Sequence, residues 1–119
     1  MQAQGGTLTE PTVISSSGGT LDITLTLSYA TVSESHFTFT NARLFNGQYP
    51  GPTLKINPGD RVRILYKNEL TFQSGAVQSG TNVFHKPDTT NLHFHGGHVP
   101  GELPSDDVRL EIAEGSEFQ

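Results

Sequence analysis

Leu21-Asp22-Ile23-Thr24-Leu25-Thr26-Leu27-Ser28-Tyr29 carries an apolar side chain at every odd position and a polar one between each pair. A strict period of two marks a β-strand with one buried face, because successive side chains leave a strand on opposite sides. The same reading extends outward in both directions. His36 to Phe39 alternates again, Thr53 to Ile56 reads as a short strand, and Arg61 to Leu70 places Val62, Ile64 and Tyr66 on one face. Pro50-Gly51-Pro52 and Asn57-Pro58-Gly59-Asp60 are turns, since proline fixes φ and glycine reaches conformations other residues avoid. Asn91 to His95 and Val108 to Ile112 are predicted as two further strands, and Thr71 to Thr90 as a long polar loop. Residues 1–20 are polar and Gly/Ser-rich, and read as an edge strand plus loop. No helical stripe interrupts this pattern, so the expectation is an all-β chain with residues 1–119 in a single domain.

Composition agrees with that expectation and narrows the functions available. Hydrophobic residues make up 33 % of the 119, which suits a thin sandwich whose strands each hide one face better than one deep core. Thirteen glycines and seven prolines supply many turns. The net charge is −5 with seven Lys and Arg, which argues against a nucleic-acid-binding surface. No apolar run approaches the roughly 20 residues that span a bilayer, and Met1-Gln2-Ala3-Gln4-Gly5-Gly6 lacks the basic and apolar regions of a signal peptide. Neither nucleic acid nor membrane is therefore expected as a partner. The absence of cysteine excludes disulfides, thiolate metal sites and cysteine nucleophiles.

Four of the five histidines lie between His85 and His98, around Asn91-Leu92-His93-Phe94-His95-Gly96-Gly97-His98. On a strand, Leu92 and Phe94 would enter the core while His93 and His95 project together from the other face, about 6–7 Å apart at Cα. Two imidazoles on one rigid element make half of a transition-metal site. Imidazole suits copper, zinc, iron and nickel alike, so the pair does not choose among them. Read without their neighbours, both are equally solvent-facing polar residues of a strand.

The neighbours add a resemblance. Asn46-Gly47-Gln48-Tyr49-Pro50-Gly51-Pro52-Thr53, Asn57-Pro58-Gly59-Asp60-Arg61-Val62, Thr90-Asn91-Leu92-His93-Phe94-His95-Gly96, Ser105-Asp106-Asp107-Val108 and Glu111-Ile112-Ala113-Glu114-Gly115 follow in that order. As a set they resemble the N-terminal cupredoxin domain of multicopper oxidases, the laccase and bilirubin-oxidase-like group, over roughly Leu21 to Gln119. The resemblance implies a cupredoxin-like Greek-key β-sandwich and an oxidoreductase parent. It also implies copper, with His93 on a type 2 and His95 on a type 3 ion of a trinuclear cluster that reduces dioxygen to water. Asp106 matches an acidic position that assists proton delivery in relatives, and it reads equally well as a loop acid capping a turn. His98 has no ligand counterpart, while His85 and His36 read as a loop histidine and an exposed strand histidine. A secreted or periplasmic setting is implied as well.

Departures from the family pattern shape the remaining expectations. A complete domain would continue past Gln119 to a second His-x-His, so residues 1–119 are expected to lack its last strands. The type 1 copper of the family needs a cysteine thiolate, and this chain has none. Two histidines cannot hold three coppers, and these residues alone are expected to be inactive as an oxidase. The missing ligands would come from remaining cupredoxin domains of the parent or from other copies of the chain, since an open sheet edge favours a homo-oligomer. The alternative is a non-catalytic metal-binding or self-associating β-sandwich module. A cupin places a glutamate soon after its second histidine; here the first acid after His95 is Glu102, and the later glycine and histidine do not follow. No Gly-x-Ser-x-Gly hydrolase motif is present.

Overall fold

A computed structural model describes residues 10–34, 36–71 and 86–119. Among the described residues six strands are formed: β1 (Val13–Ser15), β2 (Thr20–Glu34), β3 (Phe37–Phe45), β4 (Thr53–Lys55), β5 (Arg61–Asn68) and β6 (Glu117–Phe118). They make a two-stranded sheet, β1-β4, and a four-stranded sheet in the order β3-β2-β5-β6. No helix occurs among the described residues, and the protein is all-β and cupredoxin-like. The predicted residues 1–9 and most of the Thr71–Thr90 loop, His85 included, lie outside the described residues.

β2 is the spine, and its alternation explains why. Leu21, Leu25 and Leu27 are buried, Ile23 and Tyr29 are half-buried on the same face, and Asp22 and Thr24 face solvent. β3 folds back antiparallel to β2, with a bulge between the Ala30–Ala42 and Val32–Phe39 pairs. Asn41, at φ 54°, sits in that irregularity, as asparagine tolerates the left-handed region better than most residues. β2 and β5 run parallel from Thr20–Arg61 to Leu27–Asn68. A parallel pair needs a crossover, and here the chain leaves through β4, which pairs with β1 in the second sheet.

The turn predicted at Asn57-Pro58-Gly59-Asp60 closes as a side-chain knot. Asp60 accepts from the Asn57 backbone N–H at 2.8 Å and from Ser16 Oγ, tying the β4–β5 turn to the end of β1. Gly59 takes φ 90°, which a side chain would resist. These hydrogen bonds, the Ser16 hydroxyl first, hold the Asp60 carboxyl below its ordinary range. The second predicted turn contains a cis Tyr49–Pro50 bond.

The core comprises Leu25, Leu27, Tyr66, Leu70 and Ile112, with Ile64, Leu92, Leu110 and Phe118 packed against it. Asn68 is the polar bolt through this core, with no exposed surface. Its Nδ2 donates to the carbonyls of Asp88 (2.6 Å) and Ile112 (2.8 Å), and its Oδ1 accepts from Leu70 N–H at 3.1 Å. Its own backbone bonds Ser116 O and Gly115 N. One residue at the end of β5, through its side chain and its backbone, therefore ties both ends of the 88–116 segment that carries the histidines to the sheet.

Two predicted strands are corrected. Asn91–His95 and Val108–Ile112 are irregular, and only Thr90 and Ile112 form an isolated antiparallel bridge. The physical reason is competition from side chains. Leu92 N–H is taken by Asn91 Oδ1 at 2.7 Å, and Phe94 N–H by Asp106 Oδ1 at 3.1 Å. With those donors occupied locally, no ladder forms. Phe94 is also not in the core: it is 39 % exposed, whereas Leu92 packs inward as predicted.

Candidate functional site

His93 and His95 sit on an irregular segment between the Thr90–Ile112 bridge and a tight reversal at Gly96. Gly96 takes φ 76°, and Gly97 N–H reaches back to Phe94 O at 3.4 Å. This reversal returns the chain toward Pro100, whose carbonyl accepts from Asp106 N–H at 3.0 Å. Asp106 is thereby set beneath the histidines, thirteen residues later in sequence, and is 8 % exposed.

The Asp106 carboxylate makes three contacts. His93 Nδ1–H donates to Oδ2 at 3.0 Å and lies 3.2 Å from Oδ1, and Phe94 N–H donates to Oδ1 at 3.1 Å. A carboxylate can only accept, so it places the His93 proton on Nδ1 and leaves the Nε2 lone pair free. The His93 side chain is 51 % exposed, so that lone pair is accessible from outside. The His95 ring lies with its centroid 5.7 Å from that of His93, at 81° between the ring planes. His95 is exposed and makes no side-chain hydrogen bond among the described residues.

This arrangement matches what a metal asks of histidine. Ligating imidazoles characteristically donate their other N–H to a carboxylate or carbonyl, which fixes tautomer and ring orientation. His93 has that support. Two rings 5.7 Å apart can reach one ion or two adjacent ions at the usual ~2 Å bond length. They do not complete a site, because among the described residues no group of three or more His, Cys, Asp or Glu side chains converges. The residues fit copper as a half-site.

Of the other histidines, His98 lines an apolar cavity beside Phe94 and Val99, and His36 is exposed next to the start of β3. Neither joins His93. Sequence reasoning overlooked Asn91, whose Oδ1 caps Leu92 N–H and whose Nδ2 donates to Asp107 O at 3.1 Å, clamping the histidine segment to the Asp106 segment. Its place two residues before His93 was the available signal. A polar cluster of Tyr29, Arg43 and Asp88 stands separately: Tyr29 Oη–H donates to the buried Asp88 at 2.6 Å, and Arg43 lies 3.5 Å from the same carboxylate.

Residues 26–82 match a family model described as multicopper oxidase, a span that begins within β2, runs through β5 and stops before His93. The chain is also similar to the cell division protein FtsP of Escherichia coli (strain K12), 33 % identical over 46 % of the chain and 13 % of that protein. It is similar to Laccase-1 of Thanatephorus cucumeris, 36 % identical over 47 % of the chain and 8 % of that protein. The aligned part is thus a small fraction of either relative. Among the described residues, no helix is long and apolar enough to cross a membrane. On the alternating strand frame and these matches together, the chain is an all-β, cupredoxin-like module that is similar to the multicopper oxidase family over residues 26–82.

Proposed function

We propose that the module supplies His93 and His95 to a copper site of a multicopper oxidase, a type 2 and a type 3 ligand of a trinuclear cluster that reduces dioxygen. The observation that carries the reading is the His93–Asp106 hydrogen bond, which aims an accessible Nε2 lone pair outward. Copper held there would supply one-electron redox chemistry. The chain's own contribution is to present two imidazoles, to orient the His93 ring through Nδ1, and to keep a nearly buried carboxylate next to the ligand. Asp106 in this reading is a positioning acid that can also hand on a proton. The remaining histidine ligands come from further cupredoxin domains or another copy of the chain, and the cysteine of a type 1 site from a further domain, since this chain has none. By the same family likeness the parent works outside the cytoplasm, as a secreted or periplasmic protein.

The test is Cu(II) titration of the 119-residue chain, followed by calorimetry and by nitrogen hyperfine structure in electron paramagnetic resonance. Weak binding with imidazole nitrogen coupling is expected, and it is lost in the His93→Ala/His95→Ala variant. Equal copper uptake by variant and parent chain would sink the assignment. No dioxygen consumption with phenolic substrates is expected from these residues alone.

A further inference from the structure

We propose that Asn46 is a spontaneous modification site: the Gly47 amide converts it to aspartate and isoaspartate, and the product releases the turn after β3 from β2. Asn46-Gly47 is the only asparagine–glycine pair in the sequence. Both residues are exposed and both take the left-handed conformation, Asn46 at φ 51° and Gly47 at φ 67°. Phe45 and Gln48 close the turn around them, with Gln48 N–H donating to Phe45 O at 3.1 Å. Gly47 N–H has no acceptor among the described residues, and the space where a Gly47 side chain would stand is empty out to 4 Å. The nitrogen that must attack the asparagine is therefore unbonded and unshielded, a situation glycine alone provides. Asparagine is already among the thermolabile residues.

The present duty of the side chain gives the modification its consequence. The β2–β3 pairing ends at Leu27–Phe45, and Asn46 carries it further. Its backbone N–H donates to Thr26 O at 2.8 Å, its Oδ1 accepts from Thr26 N–H at 2.8 Å, and its Nδ2 donates to Thr24 O at 3.3 Å. The side-chain amide thus stands in for the next residue of a strand, and needs both its acceptor and its donor end. In the reaction, solvent base takes the Gly47 N–H proton and the nitrogen bonds to Asn46 Cγ. The Cγ–Nδ2 bond breaks, ammonia leaves with a proton from water, and the cyclic imide then takes up one water. Opening at Cγ gives aspartate, which can only accept, so Thr24 O faces a carboxylate oxygen where it had a donor. Opening at the main-chain carbonyl gives isoaspartate, whose extra main-chain methylene does not fit the Phe45–Gln48 closure. The same bonds set the rate. While both ends of the amide are held on β2, Cγ is not free to turn toward Gly47 N, and the reaction waits on local opening.

The experiment incubates the 119-residue chain at pH 9, folded and in concentrated urea, and follows each asparagine by peptide mass mapping, where conversion adds about 1 Da. In the folded chain Asn46 should convert ahead of every other asparagine, to a mixture of aspartate and isoaspartate. In urea the same conversion should run at least tenfold faster, because the bonds to Thr24 and Thr26 no longer hold the amide. Asn46→Asp, made directly, carries one of the two products and should melt about 4 °C or more below the parent. The isoaspartate form, separated from aged folded chain, should exchange its Thr26 and Gln48 amide protons at least tenfold faster than the parent, and this reading stands even where Asn46→Asp fails to fold. Equal rates in folded and unfolded chains overturn the proposal, because the latch then does not restrain the amide. So does conversion led by another asparagine, or a converted chain with the melting point and amide exchange of the parent.

Discussion

Replacing Asn68 with leucine keeps the size of the side chain and deletes all three of its hydrogen bonds, so the cost can be worked out group by group. The Asp88 carbonyl loses a 2.6 Å donor, and Leu70 N–H loses its acceptor. Each is left unsatisfied in a buried place, at about 1–3 kcal/mol. The Ile112 carbonyl loses a 2.8 Å donor but still accepts Thr90 N–H at 3.1 Å, so its share is about 0.5–1 kcal/mol. Burying an isobutyl group returns about 1.5 kcal/mol, the low end for a leucine side chain. The net expectation is a loss of about 3–4 kcal/mol. With an unfolding entropy of about 2.1 cal/mol/K per residue, that lowers Tm by roughly 12–16 °C for 119 residues. Urea denaturation followed by fluorescence and circular dichroism gives the free-energy change directly, with the m-value as a check that both variants unfold alike. Because the same side chain ties down the segment carrying His93 and Asp106, the Leu variant should also bind Cu(II) less tightly below its Tm. A loss under about 1 kcal/mol, with copper binding intact, would refute the idea that Asn68 bolts the 88–116 segment to the sheet.

Two further outcomes follow from the same geometry. Asp106→Ala should lower Cu(II) affinity about 10- to 100-fold, the usual effect of removing the carboxylate behind a ligating histidine. Asp106→Asn keeps an acceptor for His93 and Phe94 and should lose much less; ¹⁵N shifts of the His93 ring in the copper-free chain would show the tautomer released only in the Ala variant. At alkaline pH, burial raises the Tyr66 phenol above its usual value, with Thr90 opposing, and burial followed by Asp88 raises Tyr29. A raised folded-state value means that stability is whole below the unfolded tyrosine value, near pH 10, and falls as pH climbs toward the folded values. Thermal melts between pH 8 and 11 should show that decline, and Tyr66→Phe should flatten it; an unchanged slope would contradict the assignment.

The frame of the molecule was legible because its signal is local. Leu21 to Tyr29 and Val62 to Tyr66 announce their strands by period alone, though Val62 at the start of β5 stays exposed, and β2 and β5 then lie side by side in register from Leu21–Val62 to Leu25–Tyr66. What stayed hidden was long-range. Nothing in Val13–Ser15 or Thr53–Lys55 says that they pair in parallel, or that Ser16 meets Asp60. Asn68 ends an alternating strand and reads as one more polar residue, although it is fully buried. Partners for such a residue come from the chain after it, and period carries no information about them.

The histidine segment shows why a correct pattern can give a wrong element. Leu92, His93, Phe94 and His95 alternate like a strand, but a strand exists only if neighbouring backbone answers its N–H and C=O groups. Here side chains answer first: Asn91 takes Leu92 N–H and Asp106 takes Phe94 N–H. The consequence for function is direct. A regular strand would have fixed His93 by register alone and left its Nδ1 to solvent. The irregular backbone instead lets one nearly buried carboxylate hold both the main chain at Phe94 and the ring of His93, so the residue that breaks the predicted strand is the one that orients the candidate ligand. The orientation of the His93 ring and the local chain path therefore share a single group, and a change at Asp106 should disturb both together.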